Sequence, residues 1–164
     1  MGPNHLSVLG IIHTAISVLA LLAAIYTLLR DGKVDPANGR GRWYIILTVI
    51  TCITAFPIMR FGHFTPGHYV AMVILILLPI AIYAPRLFGK AGNYVQVIAM
   101  STTLFLSFIP AIVESLTRLP ISSPLASGPN DPLVQKGQLI LVIVFIVGVI
   151  YQVIKVSKLK KVIL

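Results

Sequence analysis

The sequence predicts an all-α membrane protein, a bundle of five transmembrane helices in a single domain over residues 1–164. Three observations predict it. Five apolar runs occur, at about 6–29, 43–59, 68–84, 93–113 and 137–154. At ~1.5 Å per helical residue each is close to the length needed to cross a ~30 Å hydrocarbon layer, the second, third and fifth being the shortest. The composition is 57% hydrophobic and only 10% charged, where an ordinary soluble domain carries roughly 25% charge. If all five runs span, ten of the thirteen lysines and arginines fall on one side: Arg30, Lys33, Arg40, Arg42, Arg86, Lys90, Lys155, Lys158, Lys160 and Lys161. Arg60, Arg118 and Lys136 fall on the other. That asymmetry places the amino terminus outside and the carboxyl terminus in the cytoplasm.

The net charge of +9 would suggest nucleic acid in a soluble protein. Here the cations sit in short inner loops and the tail, where they set orientation and meet anionic lipid, so the partner is the lipid bilayer and not nucleic acid.

No basic region precedes the first run, and it exceeds a signal-peptide core, so it is expected to stay as a span. The connection from Asp31 to Arg42 holds Asp-Gly, Asp-Pro and Asn-Gly turn signals and is a polar inner loop. The second run carries the only cysteine, Cys52, as a small packing residue. Arg60 to His68 is a tight outer turn, with Pro66 at the start of the third helix, where a missing amide costs little. Pro85 and Gly89 are expected to close that helix on the inside. Leu119 to Gln135, rich in Pro, Ser and Gly and carrying Asp131, is an outer loop and a candidate lid. The tail Lys158-Leu-Lys160-Lys161 is an anchor to lipid headgroups. Pro57, Pro79 and Pro110 fall inside the second, third and fourth runs, where each is expected to kink its helix.

Lipid tails give no hydrophobic drive to helix association, so small and weakly polar residues mark the packed faces. Gly10, His13, Thr14, Ser17, Ala20, Ala24 and Thr27 form such a stripe in the first helix. Thr48, Cys52 and Ala55 do so in the second, and Thr103, Ser107, Pro110 and Glu114 in the fourth.

With this topology all four histidines and the only glutamate lie on the outer side. His13 is about 10 Å into the first helix, His68 opens the third and Glu114 closes the fourth. A buried ionisable group in a span is costly and marks a candidate site. Two chemistries fit. His13 and His68 on facing helices could hold a b-type haem for electron transfer. His13, His68 and Glu114 together match the ligand set of a divalent transition metal. Arg60, His63 and Arg118 are candidate supporting residues; a salt bridge from either arginine to Glu114 would weaken the metal reading and spare the haem reading. The bland alternatives are a surface ion pair between Glu114 and Arg118, and a neutral His13 hydrogen-bonded in a helix interface. They correspond to an accessory subunit of a membrane complex with no cofactor. A small-solute transporter is a third reading, and a lone five-span chain would then need to form a homo-oligomer. Nucleophile, phosphate-loop and haem-attachment signatures are absent, so the sequence decides nothing about enzymatic activity.

His13-Thr14, Gly41-Arg42-Trp43-Tyr44, Thr54-Ala55-Phe56, Phe61-Gly62-x-Phe64-x-Pro66-x-His68, Met100-Ser101 and Glu114-x-x-x-Arg118-x-Pro120 resemble a family of small bacterial multi-pass membrane proteins of unknown function. The likeness covers about residues 6–120 in short, dispersed motifs. It implies the bacterial cytoplasmic membrane, the same topology, and an outer set of His13, His68 and Glu114. The family pattern also has histidines near the first inner loop and before the Met-Ser of the fourth helix. This chain has Ala37 and Gln96 near those places, so a role needing inner histidines does not carry over.

Overall fold

A computed structural model describes residues 7–58, 62–120 and 122–163, the last five as helix path alone. Among the described residues there are five α-helices and no strand: α1 (Val8–Asp31), α2 (Gly39–Ala55), α3 (Pro66–Leu87), α4 (Gly92–Arg118) and α5 (Pro132–Ile163), with a short 3-10 turn at Gly89–Ala91. Four of the helices, α1, α3, α4 and α5, are long and apolar enough to cross a membrane. The fifth, α2, has 17 residues and begins with Arg40 and Arg42, so its apolar part is the shortest.

Local chemistry sets the ends. Ser7 caps α1 by accepting the Gly10 amide at 3.1 Å, and Gly32 closes it in the left-handed region at φ 72°, donating to the Leu28 carbonyl at 2.8 Å. Asn38 accepts the Gly41 amide at 2.7 Å, which starts α2 four residues before the expected 43. At its other end α2 stops at Ala55 instead of 59. Pro57 therefore lies beyond the helix and does not kink its interior as expected; having no N–H, it cannot carry the ladder on. Pro85 corrects the sequence reading in the opposite sense. It lies within α3, which continues to Leu87. Glu114 does not close α4, which runs one more turn to Arg118. The outer loop is shorter than expected, because Asp131 and Pro132 start α5 there: the Asp131 carboxylate accepts the Leu133 amide at 2.9 Å.

Helix α4 is central, packing on α3 and α5 and touching α1, while α2 packs on α1 and, less extensively, α3. The core joins Ala24 of α1, Tyr44 and Cys52 of α2, Ala71, Ile74, Leu78 and Ala81 of α3, and Ala99, Met100 and Leu104 of α4. The abundance of alanine brings backbones close. At Gly92 a Cβ would lie 2.5 Å from the Ala84 carbonyl oxygen, so the α3–α4 turn has no room for a side chain. The stripe of α1 is buried at Gly10, Ala20, Ala24 and Thr27 as expected, whereas Thr14 is exposed and returns its hydroxyl to the Gly10 carbonyl.

The outside is apolar. Leu139, Ile140, Ile143, Val144, Val147 and Ile150 are exposed on α5, which has an apolar surface nearly all round. In water this would be a large aggregating patch; for a helix in lipid it is the ordinary condition. Tyr26, Trp43, Tyr83 and Tyr151 are exposed near one end of the bundle, the distribution of an interfacial aromatic belt. These features suggest a multi-pass membrane protein.

Candidate functional site

His13, in the second turn of α1, faces the last turn of α2. Its Nδ1 lies 3.0 Å from the Thr54 hydroxyl oxygen. That hydroxyl is 2.9 Å from the Ile50 carbonyl and 3.0 Å from the Thr51 carbonyl, to which it gives its proton, so the His13 Nδ1–H donates to Thr54. The His13 proton is thereby assigned to Nδ1, and Nε2 keeps its lone pair.

His68 is the third residue after the cap of α3. The Thr65 backbone amide donates to its Nδ1 at 3.0 Å, the reciprocal half of a capping box with histidine where Glu or Gln is usual. The Thr65 hydroxyl is 2.9 Å from the same nitrogen. An Nδ1 that accepts a backbone N–H must carry its proton on Nε2 when neutral. The ring is 3% exposed, with its centroid 5.1 Å from that of Phe64 and 6.2 Å from that of Phe56. Its Nε2 is buried and finds no partner among the described residues.

Glu114 forms an ion pair with Arg118 one turn on, and the side chains are 53% and 32% exposed respectively. Its carboxylate is near enough to act electrostatically on the His13 ring, but it does not turn into the interior as the sequence stripe suggested. His63 donates from Nδ1 to the Phe64 carbonyl at 3.3 Å in the exposed turn. Arg60 lies outside the described residues.

His13 and His68 thus both lie against the end of α2 and the residue after it: His13 bonds Thr54, and the His68 ring is beside Phe56. Helix α1 packs on α2, and α2 packs less extensively on α3. Among the described residues no three His, Cys, Asp or Glu side chains are grouped so as to hold a metal ion. As ligands the two rings differ. His13 offers a lone pair at Nε2 and fits a metal or haem iron. His68 offers an N–H and fits only in the other tautomer, which gives up the Thr65 amide.

At the other end of the bundle is a cavity of about 710 Å³, bordered by Lys33, Asp35, Arg42, Arg86, Asn93 and Gln96. The loop after α1 builds one wall. Lys33 Nζ pairs with Asp35 at 2.7 Å, and the Ala37 amide donates to Asp35 at 2.9 Å. Partial burial pushes the Asp35 carboxyl up, but the Lys33 hydrogen bond, the Ala37 amide and the Lys33 charge outweigh it and hold the carboxyl below its usual range. Arg40 makes a two-pronged contact with Asp31 at 2.9 and 3.1 Å. Both carboxylates of this end are therefore taken. Arg42 and Arg86 form no ion pair among the described residues.

Sequence reasoning missed this inner assembly. Its signals were Gln96 within an apolar run, Pro85 four residues after Ala81, and an excess of arginines over inner carboxylates. It also missed two interior bonds, Tyr44 to Thr103 at 3.0 Å and Ser101 to Gln152 at 3.3 Å. Compared with family models, curated proteins and solved structures, the chain matches none.

Proposed function

We propose that the chain is an integral protein of the bacterial cytoplasmic membrane, crossing it five times with the amino terminus outside. We assign it a non-catalytic role as a subunit of a homo-oligomer or larger membrane complex. One observation carries this reading: His13, His68 and Glu114 each bond a residue of their own chain. His13 is bonded to Thr54, His68 caps α3 through Thr65, and Glu114 pairs with Arg118. Polar side chains used in this way hold apolar helices together. The course of α2 supports its counting as the fifth span. Thr54 meets His13 near the outer start of α1, while Arg42 shares the inner cavity with Lys33, so α2 runs most of the length of α1.

Cysteines placed at Ser7 and Ser157 test the topology, because native Cys52 is buried and should stay silent. An impermeant maleimide is expected to label S7C on intact spheroplasts and S157C only after lysis. Labelling of both from one side overturns the five-span reading.

A second reading, a haem b or divalent metal held by His13 with His68, draws on the His13 lone pair and the unpartnered His68 Nε2. Under the accessory reading the purified protein is colourless and metal-free. A Soret band, or stoichiometric metal on elemental analysis that H13A abolishes, would replace that reading with the cofactor one.

A further inference from the structure

We propose that the inner cavity is a binding site for a phosphate-bearing anion, with Arg42 and Arg86 as the cations that hold it. The charge ledger of this end leads there. Asp31 is claimed by Arg40 and Asp35 by Lys33, and Arg30 turns to the Tyr26 hydroxyl; the other two guanidinium groups of this end, from the first turn of α2 and the last turn of α3, border one cavity. Its volume, about 710 Å³, lies within the ~300–1,000 Å³ typical of small-molecule sites. Asn93, in the first turn of α4, adds an amide and brings the positive end of that helix to the same space. Gln96 gives one amide N–H to the Ala81 carbonyl, so the donors of this cavity are the arginines, Asn93, the partly exposed Lys33 and the second N–H of Gln96.

Two planar, permanently charged forks bordering one cavity match the oxygens of a phosphate better than a single carboxylate, which one arginine already saturates. Asp35 also lines the cavity, and the Lys33 ammonium paired with it offsets its charge. Ile82 and Pro85 supply an apolar border for the uncharged part of the ligand. The exposed Tyr26, Trp43 and Tyr83 place this cavity at the level where a bilayer carries its headgroup phosphates. An anionic lipid headgroup is therefore one source of the ligand and soluble phosphate the other. Only the lipid source rests on the membrane reading above; the arginine pair and cavity do not.

The test uses the full chain purified in detergent, titrated with phosphatidylglycerol or phosphatidylcholine by native mass spectrometry and, separately, with inorganic phosphate by thermal shift. Variants are R42Q, R86Q, R42Q/R86Q and the charge-matched control R30Q/K158Q. Each single variant is expected to weaken the anion about tenfold, about 1.4 kcal/mol, and the double variant to abolish the preference for phosphatidylglycerol over phosphatidylcholine. The control should bind as the native chain does. A response to inorganic phosphate that both arginines are needed for makes the source soluble; a response to phosphatidylglycerol alone makes it lipid. If the double variant does not fold, as judged by circular dichroism, the single variants carry the test. Anion binding that is indifferent to Arg42 and Arg86, or that the control weakens equally, overturns the proposal. A failed topology with intact arginine-dependent phosphate binding would overturn the membrane reading and leave the site standing.

Discussion

The side-chain amide of Gln96 donates to the carbonyl oxygen of Ala81 at 3.1 Å, the carbonyl that Pro85, four residues later and without an N–H, cannot serve. Pro85 thus sits inside α3 without an orphaned acceptor, because a residue from α4 supplies the missing donor. Gln96→Leu is expected to destabilise the bundle by about 1–3 kcal/mol, the cost of a buried polar group left unpaired. In a P85A background, where the helix can pair Ala81 itself, the same substitution should cost markedly less. Thermal denaturation of the four proteins in detergent measures the difference; equal costs in both backgrounds would end this account.

Tyr44 and Thr103 join α2 to α4 through fully buried hydroxyls. The Thr103 hydroxyl is 2.8 Å from the Met100 carbonyl, to which it donates, so Tyr44 is the donor to Thr103. Y44F and T103V are each expected to lower stability, with a coupling in the double-mutant cycle of about 0.6 kcal/mol, the average for such bonds between membrane helices. Additive effects would show that the bond contributes nothing beyond packing.

Lys155 of α5 reaches back to the end of α1, its Nζ donating to the Asp31 carbonyl at 3.0 Å, one of the acceptors a helix end leaves unpaired. A Cβ at Gly32 would lie 2.5 Å from that Nζ, on a backbone at φ 72°. Gly32→Ala should therefore cost about 1–2 kcal/mol for the left-handed backbone, and further for displacing the lysine. In K155M only the backbone part should remain, as thermal denaturation of the single and double variants will read.

Asp131, in the loop before α5, accepts from the Ser127 amide, the Leu133 amide and the Ser127 hydroxyl, which hold its carboxyl below its usual range. These donors stabilise the ion, so folding stabilises the ionised form. The contribution is complete above the ordinary Asp value of ~3.9 and is lost as pH falls through the lower folded value. Protection of the Ser127 and Leu133 amides, corrected for intrinsic exchange, should stay level from neutral pH down to about 5 and fall below about 4. D131N should remove that acid transition.

Helix number, approximate helix positions and much of the inward face of α1 were legible because each depends on quantities local to the chain: run length, and small residues at three- and four-residue steps. Ala20, Ala24 and Thr27 are buried for the reason their spacing implied. The ends were less legible. Pro85 and Pro57 are both prolines in apolar runs, yet one lies inside a helix and the other beyond one. Sequence alone does not separate them; at Pro85 the freed Ala81 carbonyl is met by Gln96 of another helix, a partner that only the tertiary structure shows.

The same division runs through the candidate sites. The sequence by itself determined that His13, His63, His68 and Glu114 share the end of the bundle opposite most of the cations, because alternation of helix direction sorts residues by end. Only the tertiary structure decided what they touch. His13 meets Thr54, His68 meets Thr65, and Glu114 turns to Arg118. The inner cavity is likewise tertiary: Arg42 and Arg86 are 44 positions apart in number and border one space because α2 and α3 run in opposite directions. Periodicity places a residue on a face; which charge meets which depends on the rotation and depth of each helix against its neighbours, and those are set by packing across the whole bundle.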